Sequence, residues 1–547
     1  MHSYPYYPTT CYDTFSSFLS GIQARYKNQP AITEYDQDGI PYTVTYQQVY
    51  QTAHEFGEAL LQKGLQGKHI AIAGENSLEW LISFFTVTAI GSVAVLIDID
   101  QDTDTIRKMI SSADCDFLII SDSVKKLFSK DGPISKMESV SICSDDKKAP
   151  NSFQSVCAQG VQLIAQQKKA FLNLKTNGND LAVIAFTSGT TNASKAVMLS
   201  QKGILINAGQ SMAMVKFTEK VFTFLPFFHT YGITCCVLNA LIAGCHLCIN
   251  GNLKTFQRDL GLFRPGTLLA VPLVMEIINK NLSKALSDAG LPENPPEKQL
   301  LWFHRKEESV PPEWKTIKQK CLGDLSLLIC GGACLAPDVV ERMHKFGIVC
   351  LEGYGITECS PLISVNRNKD YCFGSVGKIL PCFQLKLQED EILVRGDSVM
   401  MGYYKDKELT DSVLIDGWFH TGDLGVLDKN GFLHITGRKK NLIVLKNGKK
   451  VSPEEIENRV SQLPLVKEVI AYGASIGEVK DNARLAVMIY PDPDKTQGMN
   501  AYEVLNLLQK QIDELNVEYP SYKQIQLVNL RETPFEKTSA QKIKRKI

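Results

Sequence analysis

The chain has 547 residues and a mass of 60.8 kDa. A single hydrophobic core rarely supports a chain of this length, so at least two domains are expected. Hydrophobic residues make up 44% and charged residues 22% of the sequence, as in ordinary globular proteins. The formal net charge of +0 excludes a strongly basic nucleic-acid-binding protein, and no nucleic-acid partner is expected.

Cysteine usage and the N-terminal sequence bear on location. The fifteen cysteines are interpreted as reduced, mostly buried thiols, because the chain is too large to need a disulfide framework. The first ten residues, MHSYPYYPTT, have neither the basic nor the apolar region of a signal peptide. Together these features predict a cytoplasmic protein.

Apolar strands alternate with helix-like segments over most of the chain. A helix is predicted from about Thr45, with Val49, Ala53 and Phe56 on one face and Gly64 at its end. This alternation predicts a parallel α/β sheet with helices on both faces. The predicted strands cover residues 69–73, 116–121, 140–144, 221–225, 246–249 and 325–329, and residues 269–278 begin a further strand–helix unit.

Two long apolar runs raise the alternative of a membrane span. Residues 80–97 carry no charge and reach the lower length limit for a transmembrane helix. They also contain hydroxyl residues and Gly91, and they end in a strand-like sequence. We therefore interpret this run, and similarly residues 230–250, as a buried helix, a turn and a strand. At most a peripheral membrane association is expected.

The segment IAFTSGTTNASKAVMLS, residues 184–200, places a loop of small hydroxyl and glycine residues between two strand-like runs. Backbone N–H groups, hydroxyls and one lysine form a suitable cradle for phosphate. The spacing differs from that of the P-loop, and an ordinary Ser/Thr-rich turn is the alternative. The candidate phosphate-binding residues are Thr187, Ser188, Gly189, Thr190, Thr191 and Lys195.

From about Glu391 the pattern changes to short strands and turns, including a hairpin signal at Asn430-Gly431. A compact α+β unit is predicted to start near Arg438, with a helix capped by Ser452 in a capping box. We therefore expect an α/β protein. Its large N-terminal domain, residues 1–437, combines parallel α/β subdomains with a β-rich subdomain, and its small α+β C-terminal domain covers residues 438–547.

Four further segments have side chains suited to a nucleotide. The residues 331–333 (GGA) follow a strand, and 354–358 (YGITE) offer an aromatic ring, a hydroxyl and a carboxylate for stacking, oxygen contact and Mg²⁺. The others are a turn-borne Asp423 and the basic turn 437–440 (GRKK). Singly, these residues have simpler interpretations as packing, turn or surface residues. Their joint occurrence in this order favours a nucleotide site.

These motifs carry a resemblance over nearly the whole length. The chain resembles the adenylate-forming superfamily of acyl-CoA synthetases, nonribosomal adenylation domains and firefly luciferase. Within it, the sequence is most similar to bacterial long-chain fatty-acid–CoA ligases. The matching segments are TSGTTNASKAVMLS (187–200), LPFFHTYG (225–232), GGACL (331–335), EGYGITECSP (352–361), GWFHTGD (417–423), GRKKNLIVLKNGKKVSPEEIE (437–457) and PFEKTSAQKIKR (534–545).

The resemblance implies two half-reactions: a carboxylate attacks the α-phosphate of ATP to give acyl-AMP, and the thiol of CoA then displaces AMP. It implies that residues 187–195 hold the β- and γ-phosphates, that Gly332 and Ala333 lie along the adenine, and that the C-terminal domain is mobile. The remaining roles are adenine stacking by Tyr354, α-phosphate contact by Thr357, Mg²⁺ binding by Glu358, and ribose binding by Asp423 with Arg438.

Three lysine and histidine positions complete the implied site. Lys440 occupies the hinge position of the mobile domain, and Lys542 is expected to bridge the carboxylate and the α-phosphate. A solvated basic tail is the alternative for Lys542. His229 borders the implied acyl pocket and thiol path, where a neutral orienting role is expected rather than a general base; a purely packed histidine is the alternative.

The chain departs from the family pattern at three glycines, replaced by Asn192, Ala196 and Gln541. Asn tolerates positive φ best among non-glycine residues, and Ala adds one methyl group, whereas Gln541 directly precedes Lys542. No acid follows the segment FFHTYGITCC, which favours an apolar medium- to long-chain fatty acid or an aryl acid as substrate. The alternatives are an acyl-AMP ligase that loads an acyl carrier protein, and a catalytically impaired nucleotide-binding protein.

Overall fold

The computed structural model describes residues 4–36, 38–128, 132–187, 194–251, 253–292, 312–331, 337–445, 449–475, 483–537 and 543–545. The chain forms two compact units. The first contains Met1–Gln384 and Val394–Phe419, and the second contains Leu385–Leu393 and His420–Ile547. The second unit therefore includes residues on the N-terminal side of the expected boundary at 437/438.

The first unit contains a nine-stranded sheet. Its strands are β1 (Pro30–Tyr35), β2 (Pro41–Thr45), β9 (Lys220–Thr223), β10 (His246–Ile249), β11 (Thr267–Ala270), β12 (Leu327–Gly331), β13 (Val349–Gly355), β14 (Leu362–Val365) and β15 (Lys378–Ile379). Their order is β15-β14-β13-β12-β11-β9-β10-β1-β2. The strands from β13 to β1 in this order are parallel, and the outer ones are antiparallel. This confirms the predicted α/β class.

A second sheet of the first unit has seven strands. They are β3 (His69–Ala73), β4 (Val93–Leu96), β5 (Phe117–Ser121), β6 (Ser139–Ile142), β7 (Leu181–Thr187), β8 (Lys195–Ser200) and β18 (Gly402–Tyr403), in the order β18-β8-β7-β4-β3-β5-β6. The strands from β7 to β6 in this order are parallel. β7 and β8 form an antiparallel hairpin, so the candidate phosphate loop connects two neighbouring strands.

Helices accompany these strands, as the alternating pattern predicted. They are α1 (Phe15–Tyr26), α2 (Tyr46–Gln62), α3 (Leu78–Ala89), α4 (Thr103–Ser112), α5 (Asp122–Lys125), α6 (Pro133–Lys136), α7 (Phe153–Ala165), α8 (Ala170–Asn173), α9 (Gln201–Met214), α10 (Asn239–Ile242), α11 (Phe256–Phe263), α12 (Pro272–Asp288), α13 (Pro312–Leu322), α14 (Pro337–Lys345) and α15 (Lys407–Val413). A π-helix over Tyr231–Leu238 leads into α10.

The first of the two apolar runs, residues 80–97, contains most of the short helix α3, the turn at Gly91 and the central strand β4. α3 has 12 residues, well short of the roughly 20 that span a bilayer. Among the described residues, no helix has both the length and the apolar character to cross a membrane. All cysteines in the described ranges are free thiols.

A third sheet contains β16 (Phe383–Gln388), β17 (Glu391–Gly396), β19 (Leu414–Ile415), β20 (Trp418–Leu427) and β21 (Leu433–Arg438). β20 and β21 form the hairpin predicted at Asn430-Gly431, where Gly431 has φ +81°. The second unit also contains β22 (Ile443–Val444), β23 (Lys450–Val451), α16 (Pro453–Val460), β24 (Val466–Ser475), β25 (Ala483–Pro491), α17 (Ala501–Glu518) and β26 (Leu527–Leu530).

The second unit has a hydrophobic core of its own. Buried side chains of α16 and α17, including Ile456 and Leu508, pack against strand residues such as Val487. Ser452 is the N-cap of α16 and Pro453 is its first residue, as predicted. The predicted capping-box hydrogen bond is wrong, because the Ser452 hydroxyl donates to Glu454 and Glu455 instead accepts from Lys523.

The N-terminal segment is anchored to the first unit by one buried arginine. Arg367 donates from Nη1 to the carbonyl oxygen of Tyr4 at 2.5 Å and from Nη2 to that of Pro5 at 2.6 Å. Its guanidinium also lies over the rings of Tyr4 and Tyr6, at 4.5 and 5.0 Å from the ring centroids. The first residues described by the structure are therefore fixed to a loop far along the chain.

Candidate active site

The candidate residues of the first unit follow the carboxyl ends of neighbouring parallel strands. β12 pairs with β13 so that Gly331 lies opposite Gly353. The segment 225–232 follows β9, which lies two strands from β12, beyond β11. Loops at the carboxyl ends of parallel strands meet at one edge of a sheet, which is the usual place for a ligand in open α/β proteins. The register thus brings Gly331 and the segments 225–232 and 354–358 to one edge.

The loop that carries Thr357 and Glu358 makes a close turn. Tyr354 lies near the end of β13, and Thr357–Cys359 form a single 3₁₀ turn. The backbone N–H of Ile356 donates to the carbonyl oxygen of Pro361 at 2.9 Å. A Cβ atom at Gly355 would lie 2.2 Å from that same oxygen, so only glycine allows the two segments to approach this closely.

The fully buried Asn207 of α9 clamps the same loop. Its Nδ2 donates to the carbonyl oxygens of Cys359 at 3.1 Å and Leu362 at 2.8 Å. Its Oδ1 accepts from the backbone N–H of Leu362 at 3.2 Å. One amide side chain therefore satisfies three backbone groups that follow Glu358, which fixes the loop to the helix.

Glu358 has a phenol as its neighbour. The Tyr403 hydroxyl donates to Oε1 of Glu358 at 2.8 Å. The ammonium of Lys195 lies over the Tyr403 ring, 5.0 Å from its centroid. Burial and the neighbouring Glu358 carboxylate raise the pKa of Tyr403 far above its usual value, so the phenol remains a hydrogen-bond donor.

The ends of the candidate phosphate loop are in the described part of the chain. Thr187 ends β7 and pairs directly with Lys195 at the start of β8. Antiparallel pairing thus holds the two ends of the loop together. The loop residues Ser188, Gly189, Thr190, Thr191 and Asn192 lie outside the described residues, whereas Ala196 belongs to β8 and pairs with Phe186.

His229 lies in a turn that leads into the π-helix. The side chain of Asn76 orders this turn, since Nδ2 donates to the carbonyl oxygen of Leu225 and Oδ1 accepts from the backbone N–H of Phe227. Burial lowers the pKa of His229, and the charges of Asp98 and Asp100 only partly oppose that shift. The imidazole is therefore neutral at neutral pH.

The residues next to His229 connect its turn to the other motifs. The hydroxyls of Thr230 and Thr357 lie 3.5 Å apart. The Tyr231 hydroxyl donates to the carbonyl oxygens of Ile329 in β12 at 3.1 Å and of Ala270 at the end of β11 at 3.3 Å. The predicted residues Gly332 and Ala333, which follow β12, lie outside the described residues.

The second unit contains the remaining candidate residues. Arg438 Nε lies 2.7 Å from Oδ1 of the buried Asp423, and the two residues face each other across β20 and β21. The backbone N–H of Asp423 donates to the Thr421 hydroxyl at 3.0 Å, so the turn 421–423 is internally braced. Lys440 belongs to the 3₁₀ turn Lys439–Asn441, and Lys542 lies outside the described residues.

A second ion pair stabilises the same turn. Lys439 Nζ lies 2.8 Å from Oε2 of the buried Glu391, whose Oε1 accepts from the backbone N–H of Gly422 at 3.2 Å. Although burial raises the pKa of Glu391, the hydrogen bond and charge of Lys439 hold it below its ordinary value. A charged Glu391 thus ties the turn before Asp423 to the basic turn at 437–440.

Sequence reasoning missed four contributors to these arrangements: Asn76, Asn207, Tyr403 and the pair Asp98 and Asp100. Each is distant in sequence from the group it influences: Tyr403 is 45 positions from Glu358, and Asn207 is 152 positions from Cys359. The sequence GYY at 402–404 reads only as a turn. The single sequence gives no signal that these residues contact each other.

Comparison with known proteins places the chain in a family. The AMP-binding enzyme model matches residues 22–404, and the AMP-binding enzyme C-terminal domain matches residues 440–547. The long-chain-fatty-acid–CoA ligase of Salmonella typhimurium is 28% identical over 89% of this chain and 87% of its own length. Long chain acyl-CoA synthetase 1 of Arabidopsis thaliana is 27% identical over 82% of this chain and 74% of its own.

Solved structures share the fold. A crystal structure of an anthranilate CoA ligase with anthranoyl-AMP superposes with a TM-score of 0.77 at 19% identity, covering 99% of this chain and 96% of that one. The O-succinylbenzoate coenzyme A synthetase of Bacillus subtilis, in complex with ATP and magnesium ion, gives a TM-score of 0.72 at 19% identity, over 97% and 98% of the two chains. The chain described above belongs to the AMP-binding enzyme family.

Proposed function

We propose that this protein is a fatty-acid–CoA ligase. It converts a fatty acid and ATP into acyl-AMP and pyrophosphate, then transfers the acyl group to CoA with release of AMP. The observation that carries this proposal is the meeting of two motifs at one sheet edge, where the Thr230 and Thr357 hydroxyls lie 3.5 Å apart. The segment bordering the implied acyl pocket and the loop implied to contact the α-phosphate are thereby neighbours.

In the first half-reaction, the residues of the first unit position ATP. Thr187 to Lys195 hold the β- and γ-phosphates, Gly332 and Ala333 lie along adenine, Tyr354 stacks on it, and Thr357 donates to the α-phosphate. Attack of one anion on another is accelerated mainly by positioning and by neutralising charge. A lysine at the end of a hydroxyl-rich loop supplies both.

The carboxylate of Glu358 is chemically suited to act as a magnesium ligand. Carboxylate oxygens are ligands that Mg²⁺ prefers, and within the described residues no hydrogen bond reaches Oε2 of Glu358. An Mg²⁺ ion held by Glu358 together with ATP would neutralise charge on the phosphate oxygens. The role of Glu358 is to hold that charge beside Thr357.

His229 acts as a neutral orienting group. Its lowered pKa supports this role, because it makes the neutral imidazole a weaker base toward the thiol of CoA. The aromatic ring of Phe228, 4.7 Å from the imidazole between centroids, limits its orientation.

The remaining groups are Asp423, near the end of the large domain, and residues of the C-terminal domain. Asp423 accepts hydrogen bonds from the ribose hydroxyls, and Arg438 pairs with its carboxylate and orients it. Residues 438–547 move as a separate body about Lys440, and Lys542 bridges the carboxylate and the α-phosphate during adenylation.

The acyl substrate is an apolar acid of medium to long chain. The segment 228–237 (FHTYGITCCV) has no acidic residue to pair with the ammonium of an amino acid. The formal net charge of +0 gives the chain no general attraction to polyanions. The proposal also includes a cytoplasmic location with at most peripheral membrane association.

The test is mass spectrometry of the products formed from ATP, Mg²⁺, CoA and a pool of carboxylic acids from acetate to stearate plus aryl acids. One series of fatty acyl-CoA products is the expected result, and it also identifies the chain length. Acyl-AMP without acyl-CoA would instead indicate an acyl carrier protein as acceptor. ATP binding without either product would contradict the enzyme and favour a catalytically impaired nucleotide-binding protein.

A further inference from the structure

The side chain of Tyr403 contacts two groups of the proposed ATP site that come from different parts of the chain. Its hydroxyl donates to Glu358 Oε1 at 2.8 Å, and its ring lies under the Lys195 ammonium at 5.0 Å from the centroid. Tyr403 is 4% exposed, so both contacts are shielded from solvent on the tyrosine side. Neither the sequence motifs nor the family roles described above include this residue.

The backbone around Tyr403 makes the same two connections. In β18, Tyr403 pairs with Val197 of β8, and the backbone N–H of Tyr404 donates to the carbonyl oxygen of Ala196 at 2.8 Å. Three residues before Tyr403, the backbone N–H of Met400 donates to the carbonyl oxygen of Glu358 at 2.8 Å. The segment 400–404 is therefore joined to the strand after the phosphate loop and to the Glu358 turn.

The geometry defines what each contact contributes. A hydrogen bond to one oxygen of a carboxylate fixes its rotation and directs the second oxygen, as the outer partners of metal ligands commonly do. A cation over an aromatic face is attracted to it without being neutralised, so Lys195 keeps its charge for an anion. Tyr403 thus orients both charged groups without neutralising the charge of either.

We propose that Tyr403 is a positioning residue for ATP and Mg²⁺: its hydroxyl orients Glu358, and its ring places Lys195. The inference rests on the proposed function, in which Glu358 binds Mg²⁺ and Lys195 binds phosphate. It predicts that the hydroxyl and the ring contribute separately, since the hydroxyl acts through the metal ligand and the ring acts on the phosphates.

The first test measures ATP binding by calorimetry without any fatty acid, in excess Mg²⁺ and in EDTA. Tyr403→Phe keeps the ring and removes the hydroxyl, so we expect about a tenfold loss of ATP affinity in Mg²⁺ and no loss in EDTA. Tyr403→Leu removes the ring as well and is expected to weaken ATP binding under both conditions. Equal affinities of Tyr403→Phe and the unmodified protein in Mg²⁺ would overturn the inference.

Tyr404→Phe is the matched control. Tyr404 is the next residue, and its hydroxyl donates to the surface carboxylate of Asp114 at 2.8 Å, so the same substitution removes the same kind of bond away from the site. We expect it to leave ATP affinity unchanged. If Tyr404→Phe lowered the affinity as much as Tyr403→Phe, the effect would be a general one on β18 and the inference would fail.

A double substitution separates positioning from general stability. In a Glu358→Gln background, Tyr403→Phe is expected to cause no further loss of Mg²⁺-dependent affinity, because the carboxylate that it orients is already gone. An equal additional loss would overturn the inference. If the unmodified protein bound ATP without any Mg²⁺ dependence, the proposed role of Glu358 would fail first, and the inference would fall with it.

Discussion

Arg438 and Asp423 face each other across the β20–β21 hairpin with Nε 2.7 Å from Oδ1. The side chain of Asp423 is 3% exposed, while that of Arg438 is 43% exposed. The pair therefore presents a buried, oriented carboxylate that is held from the solvent side by a guanidinium. Such a carboxylate suits the two hydroxyls of a ribose, as proposed above.

Arg438→Gln is expected to raise the KM for ATP about tenfold, because Asp423 loses both its orienting bond and the charge that balances it in a buried position. Steady-state kinetics of pyrophosphate release measures this effect. Arg459→Gln is the control, since Arg459 forms a comparable but exposed pair with Glu518 and is expected to behave like the unmodified enzyme. Equal KM values for both variants would contradict the ribose role of Asp423.

Asn207→Asp is expected to reduce the rate of adenylation about tenfold or more and to lower the melting temperature. The aspartate keeps the size of the side chain but loses the amide donor, so the carbonyl oxygens of Cys359 and Leu362 would face a carboxylate. Pyrophosphate exchange and thermal melting measure the two effects.

The control for Asn207 is on the same helix. Gln210→Glu makes the same amide-to-carboxylate change, but Gln210 contacts Cys11 rather than the Glu358 loop. We expect adenylation by this variant to be normal. Loss of adenylation in Gln210→Glu would show that the helix, rather than the Asn207 clamp, is responsible.

Lys542→Ala is expected to abolish acyl-AMP formation while largely sparing thioester formation from supplied acyl-AMP. The charge of a lysine between two anions is needed only while the carboxylate attacks the phosphate. Lys544→Ala is the neighbouring control, because Lys544 pairs at 3.9 Å with the exposed Glu536. Parallel losses of both half-reactions in Lys542→Ala would refute the assignment.

His344 is expected to make the first unit less stable in acid. Burial lowers the pKa of His344 from 6.5 to about 4, where its ring packs against Tyr371 and Phe373 and its Nε2 accepts from the backbone N–H of Cys350. As the pH falls below 6.5, the unfolded chain binds a proton that the folded chain does not. Stability is then lost progressively toward pH 4, by about 3 kcal/mol at most.

The measurement for His344 is the melting temperature at several pH values between about 7.5 and 5. His344→Gln removes the titrating group, so its deficit relative to the unmodified protein should shrink as the pH falls. A deficit that stayed constant over this range would show that His344 does not resist protonation in the folded state.

The alternating elements could be predicted because local sequence determines them. β3 lies at the predicted residues 69–73, and α2 begins directly after Thr45, which caps it as Ser and Thr residues commonly do. The Asn430-Gly431 hairpin was also correct, since the turn itself requires a positive φ that glycine supplies.

Long-range partners could not be predicted in the same way. Asn76, Asn207 and Tyr403 look like ordinary polar or aromatic residues until the fold places their side chains beside distant backbone or charged groups. The capping box predicted at Ser452 failed for the same reason. The Glu455 carboxylate accepts a hydrogen bond from Lys523, which lies in a distant element, instead of from the Ser452 backbone. The motif residues outside the described ranges, among them Ser188 and Lys542, stay predictions.

The anchoring of Tyr4 by Arg367 joins residues that are 363 positions apart in the chain. Tyr4 is synthesised long before Arg367, so their contact forms only after most of the first unit has been made. Closing so long a loop is slow unless the intervening chain has already folded. We therefore expect the docking of Tyr4 to be a late step in the folding of this unit.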